Sequence, residues 1–264
     1  MARLDWTVYP DTKIAKLPSF LQSCALLVRN VVFFTRQQDR PSKYHHRLDG
    51  IATRHNDGFR KSPRFNKAYD RAVAAAGWDY GIPYRIHQAL WCSHQAQKVE
   101  GDFVELGTGR GFIMSAVLAD YPTWNQGSRS LHLFDTFKST WPDQFGRQET
   151  TGLVSGYYAE SVTDTERNFS EWQRVYLYEG DVFEMLPGLQ AEQVALIHID
   201  LNFYAPEVFG LKLLWQRIPR GGIVLLDDYA YHGHERQYQA MNDLAAELGV
   251  DILSTPTGQG IIIK

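Results

Sequence analysis

At 264 residues the chain is long enough for one sizeable core with a small appendage, and its 44% hydrophobic and 22% charged side chains are those of a soluble globular protein. A formal net charge of −3 argues against a nucleic-acid partner, and two cysteines, Cys24 and Cys92, in no CxxC pattern exclude a zinc cluster or a disulfide framework. The charge is unevenly spread: residues 1–60 carry ten Lys/Arg against five Asp/Glu and the remainder seventeen against twenty-five, so the front of the chain has a separate job.

In chain order, the first predicted element is an amphipathic helix over residues 18–38. Gln22, Arg29 and Arg36 recur on one line, while Phe20, Cys24, Leu27, Val31 and Phe34 fall opposite at helical spacing. Its polar residues make it too hydrophilic to span a bilayer. It is expected to dock on the body or on a second copy of the chain in a dimer; peripheral membrane contact through Arg29, Arg36 and Arg40 is the less favoured reading. The first residues do not read as a signal peptide, which makes a cytoplasmic enzyme the default expectation. Residues 39–62 read as an irregular connection punctuated by Pro41, Gly50 and Gly58, with His45, His46 and His55 solvated rather than ligating metal. Residues 1–63 are therefore expected to form an N-terminal helical extension and 64–264 the main domain.

Two helices, 65–76 and 84–97, precede a strand at 102–106. From there strand and helix alternate: strands at 131–135, 174–178, 194–200 and 222–227, a C-terminal pair near 250–254 and 260–263, and helices near 111–120, 160–172, 206–217 and 234–248. Apolar strands separated by helices predict a doubly wound α/β fold, a mostly parallel sheet covered on both faces. In such a sheet ligands bind at the carboxyl ends of the strands, near the switch point. The long segment from Lys138 to Gly180 carries Trp141, Tyr157 and Tyr158 and is expected to form part of a substrate wall.

The strand at 102–106 runs into Gly107-Thr-Gly-Arg-Gly111. Glycines at a strand-to-helix turn let a ligand approach the backbone. The spacing is G-x-G-x-G; Phe112 stands where a dinucleotide fingerprint has its last glycine. The loop therefore suits a nucleoside ligand without a pyrophosphate better than NAD, with S-adenosylmethionine (SAM) the obvious candidate. Carboxylates close the strands: Glu105, Asp135, Asp200, Asp227 and Asp228. Asp135 can accept both ribose hydroxyls, and Asp181, followed by Val182, can meet the adenine amino group. Asp200, Asp227 and Asp228 end two strands expected to be neighbours. Three such acids cannot all stay charged without a compensating cation, and Mg²⁺ or a similar hard ion is the simplest one. The alternative is that some of them cap helices or pair with arginines such as Arg110.

Glu105-Leu-Gly-Thr-Gly-Arg-Gly, Leu133-Phe-Asp-Thr-Phe, His198-Ile-Asp…Tyr204 and Gly221-Gly-Ile-Val-Leu-Leu-Asp-Asp-Tyr229 together resemble the macrocin-type sugar O-methyltransferases, class I SAM-dependent enzymes. The resemblance covers roughly residues 64–264, including Pro256-Thr-Gly-Gln-Gly260. It implies a seven-stranded Rossmann-like sheet, and Mg²⁺ held by Asp200, Asp227 and Asp228. It also implies SAM held at Glu105, Gly107, Thr108, Gly109, Gly111, Asp135, Thr136, Phe137, Asp181 and Val182. The family's catalytic base is an aspartate two residues after the first metal ligand; here that position is Asn202, which is no useful base at neutral pH. Three options stay open: the metal alone acidifies the hydroxyl, His232 or His234 of Tyr231-His-Gly-His234 supplies the base, or the acceptor is a more acidic phenol or catechol. His198 reads as a packed strand residue, while Tyr204 and Glu207 line the acceptor pocket or simply start a helix. The implied acceptor is a small molecule or saccharide bearing a sugar hydroxyl. The rival readings are a Rossmann-class oxidoreductase and a non-catalytic SAM-binding module.

Overall fold

The computed structural model describes residues 47–137 and 161–264, so the predicted helix at 18–38 and the 138–160 stretch lie outside the described residues. The body comprises Leu48–Ile51 and Asp57–Lys264; Arg47 and Ala52–Asn56 belong to a separate compact unit. Among the described residues, no helix is long and apolar enough to cross a membrane.

The body opens with two helices. Helix α1 (Pro63–Ala76) starts on Ser62, whose hydroxyl accepts the Phe65 N–H, with Pro63 in the first turn where no partner for its nitrogen is needed. It buries Phe65, Ala68, Ala72, Ala75 and Ala76, one stripe at helical spacing. Helix α2 (Pro83–Ala96) buries Ile86, Ala89, Cys92 and Ala96, and on the same face Arg85. Then come β1 (Asp102–Leu106), α3 (Phe112–Ala119), β2 (Leu131–Asp135), α4 (Val162–Phe169), β3 (Val175–Glu179), α5 (Val182–Met185), β4 (Val194–Ile199), α6 (Tyr204–Leu214), β5 (Ile223–Leu226), α7 (Glu235–Leu248), β6 (Leu253–Ser254) and β7 (Gly260–Ile263).

The seven strands order as β3-β2-β1-β4-β5-β7-β6. All pairings through β5 are parallel, and β7 runs antiparallel between β5 and β6. Strands β4 and β5 are buried at every position, which is why they read as unbroken apolar runs rather than as alternating patterns. The sheet separates two cores. Phe65, Ile86, Met114 and Phe169 meet Phe103, Leu133 and Leu225 on one face. Val182, Leu211, Leu214, Met241 and Leu244 meet Val104, Phe134, Ile197 and Leu226 on the other. Each large side chain removed from water this way contributes about 1.5–3 kcal/mol.

Among the described residues the expected strands and the helices from residue 65 onward are present, with ends moved by a few residues. Two differences affect the site. Helix α6 begins at Tyr204 instead of 206, which carries Glu207 into the interior at 5% exposure. A short helix that the sequence pattern does not predict, α5, starts on Asp181, whose Oδ1 accepts the Phe183 N–H as its N-cap.

Candidate active site

The chain reverses direction across the sheet between β1 and β4, the switch point at which doubly wound folds open a crevice. Ladder hydrogen bonds continue past the strands: the Asp200 N–H donates to the Leu106 carbonyl at 2.8 Å and the Asp227 N–H to the Ile199 carbonyl at 2.9 Å. The three strand ends are thereby held in step, and the acids that follow β4 and β5 come out side by side.

The glycine loop fits against this edge. Gly107 has φ +87°, and a Cβ there would run into the Asp200 carbonyl, so β1 and β4 approach this closely only with glycine. Gly109, at φ +52°, has open space where its Cβ would stand, and its N–H donates to Asp135 Oδ2 at 2.7 Å. Asp135 Oδ1 accepts the Phe137 N–H at 2.8 Å. Burial raises the Asp135 pKa, and these backbone donors oppose the rise. Backbone amides thus orient the carboxylate, whose oxygens are acceptors suited to ligand hydroxyls. Beneath the loop, Glu105 Oε2 and the Thr108 hydroxyl are buried without a well-formed hydrogen bond to the described residues, although Thr108 lies close enough to Glu105 to oppose the rise that burial causes in its pKa. Such orphaned groups are costly in an interior and normally mark a missing partner. A loop open over Gly109, an oriented acid and two unsatisfied polar atoms fit the nucleoside and charged end of SAM.

Glu105 lies level with His198 across the β1–β4 ladder, and its Oε1 meets His198 Nδ1 at 2.9 Å. Nε2 of the same ring lies 3.7 Å from Asp227 Oδ1, within ion-pairing range. Burial opposes charge on this ring, but Asp227 and Glu105 outweigh it and push His198 up to about 10. His198 is 1% exposed, as expected of a packed strand residue rather than a base.

Asp200, Asp227 and Asp228 do converge: each offers an oxygen, and these lie within 4.8 Å of one another. Burial and the charges of Asp227 and Asp228 drive the Asp200 pKa well above the carboxylate range, and Asp228 is raised by burial and by Asp227. Asp227 moves the other way, because Arg85, His198 and Gln259 outweigh its burial. A compact all-oxygen donor set whose members repel one another fits a hard divalent cation such as Mg²⁺.

The suggested partner Arg110 is not at this cluster; its guanidinium reaches the Ala76 carbonyl. The arginine that is there, Arg85, was missed. Its Nη1 donates to Asp227 Oδ2 at 2.6 Å and approaches Asp228 Oδ1 at 3.4 Å. Gln259 was missed too: its side chain is fully buried and donates to Asp227 Oδ1 at 2.6 Å. A signal for Arg85 was present, since it shares the stripe Arg85–Ala89–Cys92–Ala96, where a charge breaks an apolar face. Gln259 sits within the Pro256–Gly260 stretch.

Asn202 takes a left-handed conformation, φ +56°, which Asn tolerates better than most residues, and its amide donates to Asp200 Oδ1 at 3.4 Å. It faces the acid as a donor. Of the two histidines, His232 is solvent-exposed on the turn. His234 is turned inward, with Nδ1 2.7 Å from Gln237 Oε1 and 3.9 Å from Asp228 Oδ2. Gln237 donates its amide N–H to Glu207 Oε1 at 3.1 Å, so its oxygen faces His234. That arrangement assigns the proton to Nδ1 and the lone pair to Nε2. Glu207, which also accepts the Leu201 N–H, is buried beneath this relay and does not line an open pocket. Asp181 and Val182 flank the start of α5, Asp181 serving as its cap.

A methyltransferase from Streptomyces olivaceus, named as 8-demethyl-8-(2,3-dimethoxy-alpha-L-rhamnosyl)-tetracenomycin-C 4'-O-methyltransferase, is 27% identical over 180 residues, which span 63% of this chain and 66% of that relative. Among solved structures, the O-methyltransferase NovP superposes with a TM-score of 0.58 at 20% identity over 74% of this chain and 88% of its own. The calicheamicin methyltransferase CalS11 does so with a TM-score of 0.55 at 17% identity, over 79% and 97%. At these identities the two structures speak for the class I methyltransferase fold. The profile described as Macrocin-O-methyltransferase (TylF) matches residues 84–253, the span that holds the glycine loop, Asp135 and all three converging aspartates, and the chain belongs to that family.

Proposed function

We propose that this protein transfers a methyl group from SAM to a sugar hydroxyl of a glycosylated natural product or saccharide, with a divalent cation, Mg²⁺ or similar, at Asp200, Asp227 and Asp228. The observation that carries the reading is the convergence of these three carboxylates within 4.8 Å at the sheet edge that also bears the open glycine loop. The sugar assignment is supported by relatives: one is named for a rhamnosyl-tetracenomycin, and a CalS11 structure is titled TDP-rhamnose 3'-o-methyltransferase.

When bound, SAM supplies a methyl already activated by its sulfonium charge, and Mg²⁺ supplies a Lewis acid that lowers the pKa of a neighbouring hydroxyl. The chain's part is positioning and proton transfer. Gly107, Gly109 and Gly111 admit the cofactor to the backbone, Asp135 accepts its ribose hydroxyls, and Glu105 Oε2 with Thr108 receives its charged end. Asp181 and Val182 border the adenine. Asn202 holds Asp200 through its amide. His234 Nε2 takes the acceptor proton as the oxygen forms its bond to the methyl carbon and the carbon–sulfur bond breaks; His232, farther out, is the weaker candidate. The products are a methyl ether, S-adenosylhomocysteine and a proton.

Labelled methyl transfer from SAM to a panel of rhamnosides and nucleotide-linked deoxysugars, set beside catechols and phenols, tests the reading. Transfer to sugar members that is abolished by EDTA and restored by Mg²⁺ is expected. Transfer confined to catechols would overturn the acceptor class, and turnover unaffected by EDTA would remove the cation.

A further inference from the structure

Arg85 is the least expected residue at the site. It stands on the buried stripe of α2, and its side chain is 6% exposed. A guanidinium there must be paired, and each of its three nitrogens has an acceptor. Nη1 donates to Asp227 Oδ2 at 2.6 Å and lies 3.4 Å from Asp228 Oδ1. Nε lies 3.2 Å from each oxygen of Asp49, and Nη2 donates to the Thr257 carbonyl at 3.2 Å. The Tyr231 ring covers it at 4.8 Å. The cation therefore has two sets of acceptors. One is the candidate metal cluster. The other, Asp49 and the Thr257 carbonyl, does not belong to that cluster.

We propose that Arg85 is the resident counter-cation of the Asp200–Asp227–Asp228 cluster, holding its carboxylates together without metal and weakening divalent-cation binding by competing for Asp227 and Asp228. The inference rests on the cation reading above. Within the cluster His198 faces Asp227 alone, at 3.7 Å, whereas the guanidinium stands against both Asp227 and Asp228 and so leaves less negative charge for an incoming ion. Arg85 can release Asp228 and share Asp227 because Asp49, 3% exposed in its side chain, still pairs it. A buried arginine with no second anchor would resist that exchange, since an unpaired buried charge is costly. The result is a site that stays assembled when empty and exchanges its ion readily.

The sign of one measurement tests this. Mn²⁺ binding to the full chain is followed by titration calorimetry and by the electron paramagnetic resonance of free Mn²⁺, for wild type, Arg85→Met, Arg85→Lys, Asp49→Asn and Asp200→Asn. Arg85→Met, which keeps the apolar stem and loses the charge, is expected to bind about tenfold tighter or more. It should also melt at a lower temperature in EDTA and recover on adding Mn²⁺. Arg85→Lys stays near wild type. Asp49→Asn, which leaves the guanidinium wholly to the cluster, binds more weakly; this variant carries the test if Arg85→Met does not fold. Wild-type binding that is lost in Asp200→Asn and is equal or weaker in Arg85→Met would overturn the inference and leave the cation site standing. Absence of binding in both wild type and Arg85→Met at millimolar Mn²⁺ would overturn the inference and the cation reading together.

Discussion

Glu207 gives the sharpest physical test of the site's interior. Its carboxylate is buried under the His234–Gln237 relay, accepting the Leu201 N–H at 3.3 Å and the Gln237 amide at 3.1 Å. Burial is the main cause that lifts its pKa from 4.5 to about 8, with the Asp228 charge adding to it and the Gln237 hydrogen bond opposing it. The sign follows from proton linkage. Below pH 4.5 the folded and unfolded chains both hold the proton, and this contribution is fully present. Between 4.5 and 8 the unfolded chain releases it while the folded chain keeps it, so stability falls as pH rises. Above 8 the loss is complete. With each tenfold change in proton affinity equivalent to about 1.4 kcal/mol, the loss is on the order of 2–5 kcal/mol. Glu207→Gln places a neutral isostere there, whose carbonyl can keep both hydrogen bonds. The assay is urea unfolding of wild type and variant at pH 5 to 9 in EDTA. The two proteins should be similar at pH 5, and the variant should become the more stable by about 2–5 kcal/mol near pH 8.5. Parallel profiles would refute the reasoning, since they would mean that Glu207 is already ionised in the folded protein.

Gly107→Ala forces a Cβ at φ +87° against the Asp200 carbonyl and should cost at least about 3 kcal/mol in urea unfolding; a native midpoint would contradict the close β1–β4 approach. Asp135→Asn turns an amide N–H₂ toward backbone N–H groups that now orient the carboxylate, such as those of Gly109 and Phe137. The dissociation constant for S-adenosylhomocysteine should rise about 10–100-fold by calorimetry, and an unchanged value would remove Asp135 from the ribose site. His234→Gln should lower kcat by about 10²–10⁴-fold with S-adenosylhomocysteine affinity unchanged; a kcat near wild type would return the proton to another group.

Much of the fold is written locally. The runs Leu131–Asp135, Val194–Ile199 and Ile223–Leu226 are largely apolar because each lies in a sheet covered on both faces, and burial on both faces leaves a signal within four to six neighbouring residues. Glycines 107, 109 and 111 are legible for a similar reason, since positive φ is a property of single residues. The acids after the strands follow once the strands are placed, and Asn202 at the expected base position is visible without coordinates. Helix α5 escaped because four residues, Val182–Met185, are too few to display a period.

The partners of those acids are a different kind of information. Arg85 meets Asp227 across 142 residues of chain, Glu105 meets His198 across 93, and Gln237 meets Glu207 across 30. Nothing in the local pattern of either member names the other. Even the arginine offered as a partner, Arg110, lies only two residues past Thr108, yet it turns to the Ala76 carbonyl. The linear order of residues carries where the strands end and that carboxylates stand there. Which carboxylate is neutralised, which keeps a proton and which ring nitrogen finds a partner depend on charges brought within a few ångströms by the packing of α2, β4, β5 and α7. Electrostatic energies there vary with distance and burial, and both come from the folded arrangement.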